Sequence, residues 1–118
     1  MVKKVLIDTN FLVECLKNKI DLFSEIDRLI FSYELFILDR TFKELEYIKI
    51  EYKALLKRFL EKFSVIKTSE FPEDYTVDDI LTKLSSEYII CTQDRELKRR
   101  LNGQKIIIRQ KKYLGLKD

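Results

Sequence analysis

The sequence contains no histidine. This absence excludes Ser-His-Asp and Cys-His catalytic sites, zinc held by histidine, and imidazole as a general base. Only two glycines are present, Gly103 and Gly115, and neither lies in a GxxxxGK[ST] or GxGxxG motif, which excludes Walker and dinucleotide-binding loops. Any catalysis would therefore use carboxylates, hydroxyls, amides, lysine and arginine. Such oxygen-rich side chains favour hard metal ions.

Cysteine and long apolar runs are also scarce. Cys15 and Cys91 are the only cysteines and form no CxxC pair, which predicts a reduced, cytoplasmic protein in which both are small core residues. No apolar run approaches the roughly 18 residues of a membrane helix, and no secretory signal is visible. We therefore expect no membrane association. A length of 118 residues with 46% hydrophobic content predicts one folded domain over residues 1–118.

The net charge of +3 is unevenly distributed along the chain. Residues 1–94 carry 14 Lys and Arg against 18 Asp and Glu, a balance of −4, whereas residues 95–118 carry 9 against 2, a balance of +7. A basic segment beside an acidic body is typical of a protein that binds a phosphate backbone and has an acidic metal site. Charge alone is equally consistent with a solvated basic tail.

Short apolar runs alternate with amphipathic segments of helical period. The predicted strands are Val2–Asp8, Leu35–Leu38, Ser64–Thr68, Tyr88–Cys91 and Lys105–Arg109, and the residues after Arg109 are predicted to form a basic tail. Continuous apolar runs indicate strands that are covered on both faces. The pattern therefore predicts an α/β domain with a mostly parallel five-stranded sheet.

Four acidic residues occupy equivalent places in this pattern. Asp8 ends the first strand, Glu44 lies on the helix after the second, Asp78 opens the helix before the fourth, and Asp94 follows the fourth strand. Each alone is explained as a helix cap or a solvated side chain. Together they are expected at the strand-exit side of the sheet, near the switch point between the first and fourth strands. Clustered carboxylates repel one another, and Mg²⁺ or Mn²⁺ would balance that charge.

The ordered motifs resemble those of PIN-domain nucleases. They are LIDTN, Glu44-Leu45, Val77-Asp78-Asp79 and TQDRELKRRL, followed by IIIRQKKYLGL. The resemblance is stronger to archaeal relatives of the PIN endonucleases that cleave pre-ribosomal RNA than to VapC toxins. It implies a three-layer α/β/α PIN-like domain and metal-dependent cleavage of RNA.

The resemblance also implies roles for individual residues. The expected catalytic metal ligands are Asp8, Glu44, Asp78 and Asp94. Supporting polar residues are Thr9, Asn10, Asp79 and Thr92; Asp79 is also an alternative to Asp78 as ligand, and Glu46 an alternative to Glu44. The candidate phosphate contacts are Arg95, Lys98, Arg99 and Arg100, although they also fit an exposed helix face.

We therefore expect an Mg²⁺- or Mn²⁺-dependent endoribonuclease that acts in RNA processing or ribosomal RNA maturation. One alternative is a catalytically weak RNA-binding or assembly module with the same fold, and another is the toxin of a toxin-antitoxin pair. The expected partners are RNA, a second copy of the chain in a homodimer, and a ribonucleoprotein or an antitoxin. A phosphoaspartate site is disfavoured because Asp8-Thr9-Asn10 lacks a second acid.

Overall fold

A computed structural model describes residues 2–118 and contains six strands and six α-helices. The strands are β1 (Lys3–Ile7), β2 (Tyr33–Leu38), β3 (Ser64–Ile66), β4 (Ile89–Cys91), β5 (Lys105–Arg109) and β6 (Tyr113–Lys117). The helices are α1 (Thr9–Lys17), α2 (Leu22–Leu29), α3 (Arg40–Glu44), α4 (Ile50–Leu60), α5 (Val77–Leu84) and α6 (Arg95–Arg100). Short 3₁₀ turns cover Leu45–Tyr47 and Thr68–Glu70.

The strands form one sheet in the order β3-β2-β1-β4-β5-β6. All neighbouring pairs are parallel except β5 and β6, which are antiparallel. The chain runs outward from β1 through β2 to β3, then returns to place β4 on the other side of β1. The predicted switch point between the first and fourth strands is therefore confirmed.

Both faces of the sheet are covered, which confirms the three-layer prediction. Val5 and Ile7 of β1 pack into a large core with α1, α2 and α4, whereas Leu6 points to the opposite face and packs with α5 and α6. The same alternation in β4 sends Cys91 to the first core, with Cys15, and Ile90 to the second. Burial on both faces explains why these strands are continuous apolar runs in the sequence.

The prediction of five strands and a basic tail was wrong, because residues 113–117 form the sixth strand. The turn between β5 and β6 places Gln110 and Lys111 in the left-handed region, with φ of 53° and 55°. Glycine, asparagine or aspartate usually marks such positions. Since neither residue belongs to that group, the local sequence carried no sign of a hairpin.

Polar side chains on α2 hold β6 in place. The Leu114 backbone N–H donates to a Glu25 carboxylate oxygen at 2.9 Å, and the Arg28 guanidinium donates to the Leu114 carbonyl at 2.6 Å. Arg28 also pairs with Glu25 at 3.1 Å. These bonds join an edge strand to the helix layer beneath it. Within residues 2–118, no helix has the length and apolar character needed to cross a membrane.

Candidate active site

Asp8 lies where the central strands β1 and β4 end. Its backbone N–H donates to the Cys91 carbonyl at 3.0 Å, so the two strands remain connected up to this residue. The Thr92 hydroxyl, which is buried just beyond β4, donates to Asp8 Oδ2 at 3.0 Å. The sheet thus positions the Asp8 carboxylate through its backbone and through one neighbouring side chain.

The Asp8 carboxyl group has a pKa raised to about 6, and burial is the largest cause. The Thr92 hydroxyl and the Thr9 backbone N–H lower this pKa, while the negative charges of Asp78 and Glu44 raise it. Glu44 of α3 and Asp78 of α5 are therefore close enough for their charges to act on Asp8, which follows β1. We call Asp8, Glu44 and Asp78 the acidic edge.

The structure separates the neighbouring residues Asp78 and Asp79. Asp79 forms a capping box with Thr76, accepting its backbone N–H at 2.9 Å, and pairs with the Arg100 guanidinium at 2.7 Å. Hydrogen bonds from Arg100 and Thr76 lower the pKa of Asp79 to about 2. Asp79 therefore stabilises the start of α5, while the charge of Asp78 acts on Asp8.

Glu44 is the last residue of α3 and is exposed. A hydrogen bond between two threonines connects α3 to α1. The buried Thr9 hydroxyl donates to the buried Thr41 hydroxyl oxygen at 2.9 Å. This bond fixes the helix that carries Glu44 relative to the residue that follows Asp8. Glu46, the alternative to Glu44, is exposed in the next 3₁₀ turn and is not among the groups that shift the Asp8 pKa.

Asp94 is connected to Asp8 through Thr92. The Asp94 backbone N–H donates to the Thr92 hydroxyl oxygen at 3.2 Å, and that hydroxyl in turn donates to Asp8. One Asp94 carboxylate oxygen accepts the Leu97 N–H at 3.1 Å and so caps α6. Asp94 is exposed and contributes no shift to the Asp8 pKa. Asn10 is also exposed, in the first turn of α1.

The donor chemistry of the acidic edge suits a hard divalent cation, because every donor is a carboxylate oxygen. In residues 2–118, no ion pair reaches Asp8, Glu44, Asp78 or Asp94. The same part of the chain has no group of three His, Cys, Asp or Glu side chains gathered closely enough to hold a metal ion. The residues therefore fit a cation by type and charge, and their side chains would have to move together to bind it.

The four candidate phosphate contacts fall into two groups. Arg95, Lys98 and Arg99 line one surface cavity, whereas Arg100 points to Asp79. Two further lysines line the same cavity, Lys105 and Lys117, which belong to the basic segment 95–118 but were not predicted as individual phosphate contacts. They meet only because β5 and β6 form a hairpin, and the sequence lacked the turn residues that would have predicted it.

Comparison with known proteins identifies the family. Residues 5–111 match the sequence model of a protein family that is described as a PIN like domain. The chain belongs to the PIN-like domain family. The predicted family of PIN-domain nucleases is therefore confirmed.

Individual relatives match most of the chain. It is 33% identical to Ribonuclease VapC4 of Methanocaldococcus jannaschii, with 96% of the chain and 95% of that protein covered. It is 31% identical to the rRNA-processing protein fcf1 of Schizosaccharomyces pombe, covering 82% of the chain but only 52% of that protein. The solved structure of the PIN domain endonuclease Utp24 superimposes with a TM-score of 0.73 at 26% identity, covering 96% of the chain and 90% of Utp24.

Proposed function

We propose that this protein is a divalent-metal-dependent endoribonuclease that hydrolyses RNA phosphodiester bonds. The observation that carries the proposal is the placement of Asp8. It ends the central strand at the topological switch point, and two other carboxylates raise its pKa. Ligands of open α/β sheets bind at such a switch point, beyond the carboxyl ends of the strands. No ion pair within residues 2–118 offsets the charge of these three carboxylates.

In this proposal Asp8, Glu44 and Asp78 hold Mg²⁺ or Mn²⁺, with Asp94 at the margin of the site. A cation at this point would supply positive charge to activate a water molecule and to stabilise the negative charge that develops on the phosphate. The chain itself orients the ligands. Thr92 fixes one oxygen of Asp8, and the Thr9–Thr41 hydrogen bond fixes the helix that carries Glu44.

RNA is the proposed substrate because two relatives are named for RNA. One is called a ribonuclease and the other an rRNA-processing protein. The positive residues beyond β4 provide the sequence-independent attraction that a phosphate backbone needs. A role in RNA processing or ribosomal RNA maturation is the form of this activity that we favour.

A toxin-type ribonuclease is the second candidate. The match to VapC4 extends over nearly the full length of both proteins, whereas the match to fcf1 covers about half of that protein. An antitoxin would then be a partner of this chain. A homodimer is also proposed, with the exposed Tyr47 as one candidate contact.

The test is cleavage of a labelled single-stranded RNA in Mn²⁺, with and without EDTA. We expect wild type to cleave only with metal and Asp8→Asn to be inactive, because the amide removes the charge with little change of volume. Asp21→Asn is the matched control: Asp21 caps α2 by accepting the Ser24 N–H, and asparagine caps equally well. RNA binding without cleavage by wild type would replace the nuclease proposal with a binding module. Equal cleavage by wild type and Asp8→Asn would refute the assigned site.

A further inference from the structure

A second charged site lies on α6 and the β5–β6 hairpin. Five cationic side chains line a surface cavity of about 280 Å³ there, and we call this cavity the basic pocket. They are Arg95, Lys98, Arg99, Lys105 and Lys117. The first three come from α6, and the two lysines come from the first residue of β5 and the last residue of β6.

The hairpin places like charges side by side. Lys105 and Lys117 are directly opposite each other in the antiparallel pair, so both point to the same face of the sheet. A Cβ atom at Gly115 would lie 2.6 Å from Nε of Arg109, which shows that the Arg109 side chain crosses this glycine. Residues 109 and 115 share the face of the two lysines because side chains alternate along a strand. Arg109 is therefore a further cation on this face of the hairpin, outside the residues that line the pocket.

The charge of the basic pocket is largely unbalanced. Among its five residues, in the part of the chain that the structure describes, only Arg99 forms an ion pair, with Glu96 at 3.4 Å on an exposed surface. Burial lowers the pKa of the Lys98 ammonium group, and the charges of Lys117, Arg95 and Lys105 lower it further, while the negative charge of Asp94 opposes them. Like charges opposite each other in a sheet are destabilising. An anion in the pocket would remove this repulsion.

The basic pocket is close to the acidic edge along the chain. Asp94, which is hydrogen-bonded through Thr92 to Asp8, is the N-cap of α6. The six residues of α6 extend about 9 Å from that point. In the sheet register Lys105 is level with Ile90 and Leu6, two residues before Asp8, and β4 lies between β5 and β1. A nucleic-acid strand at the acidic edge would therefore have to extend past β4 and along α6 to reach the pocket.

We propose that the basic pocket binds a backbone phosphate of the RNA strand away from the bond that is cleaved, where the strand extends past α6. This inference rests on the proposed function for the identity of the strand. Arginine donates in a fork that matches two phosphate oxygens, while lysine acts as a point charge, and neither reads the base. The pocket would thus set the position of the RNA without selecting its sequence.

The test is RNA binding in EDTA, where cleavage cannot occur. The probe is a short fluorescein-labelled single-stranded RNA, and binding is followed by fluorescence anisotropy over a range of salt concentrations. We expect Lys105→Gln/Lys117→Gln to weaken binding about tenfold and to reduce the salt slope by about 1 for each lysine. Lys105→Arg/Lys117→Arg should restore binding, because it preserves both charges. Circular dichroism melts check that both variants fold.

The matched control is Lys111→Gln/Lys112→Gln, which removes the same charge from the exposed turn between β5 and β6. We expect it to weaken binding less than about twofold, since neither residue lines the pocket. Equal losses in the two glutamine variants would overturn the inference, because attraction would then depend on net charge alone. Absence of RNA binding by wild type would overturn it as well.

A calorimetric titration with inorganic phosphate distinguishes a site for free phosphate from a site for an RNA phosphate. If Lys105→Gln/Lys117→Gln lost phosphate binding but kept RNA binding, the pocket would be a small-anion site and the inference would be overturned. Failure of the proposed nuclease function gives a different result. Wild type would then bind RNA through the pocket but would not cleave it in Mn²⁺.

Discussion

The acidic edge and the basic pocket both gather like charges, but at different depths and from different parts of the chain. The acidic edge lies at the end of the central strand, and burial is the main reason that the Asp8 pKa rises to about 6. The basic pocket is an open cavity at the side of the sheet, built mainly from long, flexible side chains. The acidic edge is suited to a small cation bound by positioned carboxylates, and the basic pocket to a phosphate held by charge.

The Asp79–Arg100 pair is an example of charges that stabilise the fold. The Arg100 guanidinium forms an ion pair with the Asp79 carboxylate at 2.7 Å, and the pKa of Asp79 falls to about 2. Asp78, one residue away, has no such pair within residues 2–118 and raises the pKa of Asp8 instead. Unpaired charge that costs stability marks the places where a ligand would be expected.

Neutralising Asp78 and Asp79 separately tests whether Asp78 alone of the two acts in the acidic edge. We expect Asp78→Asn to lower RNA cleavage by on the order of 100-fold or more, because removing a ligand should cost at least what removing an outer partner costs. Asp79→Asn should leave the cleavage rate nearly unchanged and lower the melting temperature. Single-turnover cleavage and thermal unfolding measure the two effects. Equal losses of activity would refute the separation.

Thr92→Val tests how far the acidic edge depends on orientation. Valine has nearly the shape of threonine but cannot donate to Asp8 Oδ2, whose bond to Thr92 is 3.0 Å long. Loss of such a partner should reduce cleavage roughly 10- to 100-fold. RNA binding in EDTA should remain at the wild-type level, since Thr92 lies outside the basic pocket. A cleavage rate equal to that of wild type would show that Asp8 needs no support from Thr92.

Glu25→Gln disturbs the strand that carries one wall of the basic pocket and leaves the acidic edge intact. We expect a loss of about 1 kcal/mol in the free energy of unfolding, because the Glu25 carboxylate accepts the Leu114 N–H and pairs with Arg28. These contacts lower the Glu25 pKa, so its stabilisation is complete above the unfolded pKa of about 4.3 and fades as pH falls through the folded value.

Urea unfolding at neutral and at acidic pH measures this effect of Glu25. The difference between wild type and Glu25→Gln should shrink as the solution is acidified. Glu87→Gln, at an exposed position, is the control. A difference that stayed constant or grew on acidification would contradict the assigned role of Glu25.

Arg100→Gln should give the smallest effect. Because Arg100 pairs with Asp79 and does not line the basic pocket, we expect RNA affinity to change less than about twofold. The anisotropy assay measures it beside Lys105→Gln/Lys117→Gln. A loss as large as that of the double variant would extend the RNA-binding surface to the far side of α6.

The sequence predicted the centre of the fold well, because β1 and β4 are buried on both faces and therefore appear as unbroken apolar runs. It also predicted that Asp8 follows the first strand and that Asp94 lies just past the fourth. It left Asp78 and Asp79 as alternatives. Asp79 is held by the local capping box with Thr76 and by Arg100, and the Arg100 contact, from 21 residues further along the chain, could not be predicted. The roles of the individual acids in metal binding remain predictions.

The basic pocket was only partly predictable. Arg95, Lys98 and Arg99 follow a recognisable motif, but Lys105 and Lys117 come together through a hairpin whose turn contains no glycine, asparagine or aspartate. Local turn chemistry is the usual sign of such a hairpin, and here long-range packing of β6 against α2 replaces it.

Electron paramagnetic resonance of Mn²⁺ binding in the absence of RNA tests directly whether the acidic edge holds a metal ion. If the acidic edge holds the metal, wild type and Asp79→Asn will bind Mn²⁺ saturably, while Asp8→Asn and Asp78→Asn will lose most of that binding. Binding by Asp8→Asn as tight as that of wild type, or no binding by wild type, would refute metal binding at the acidic edge.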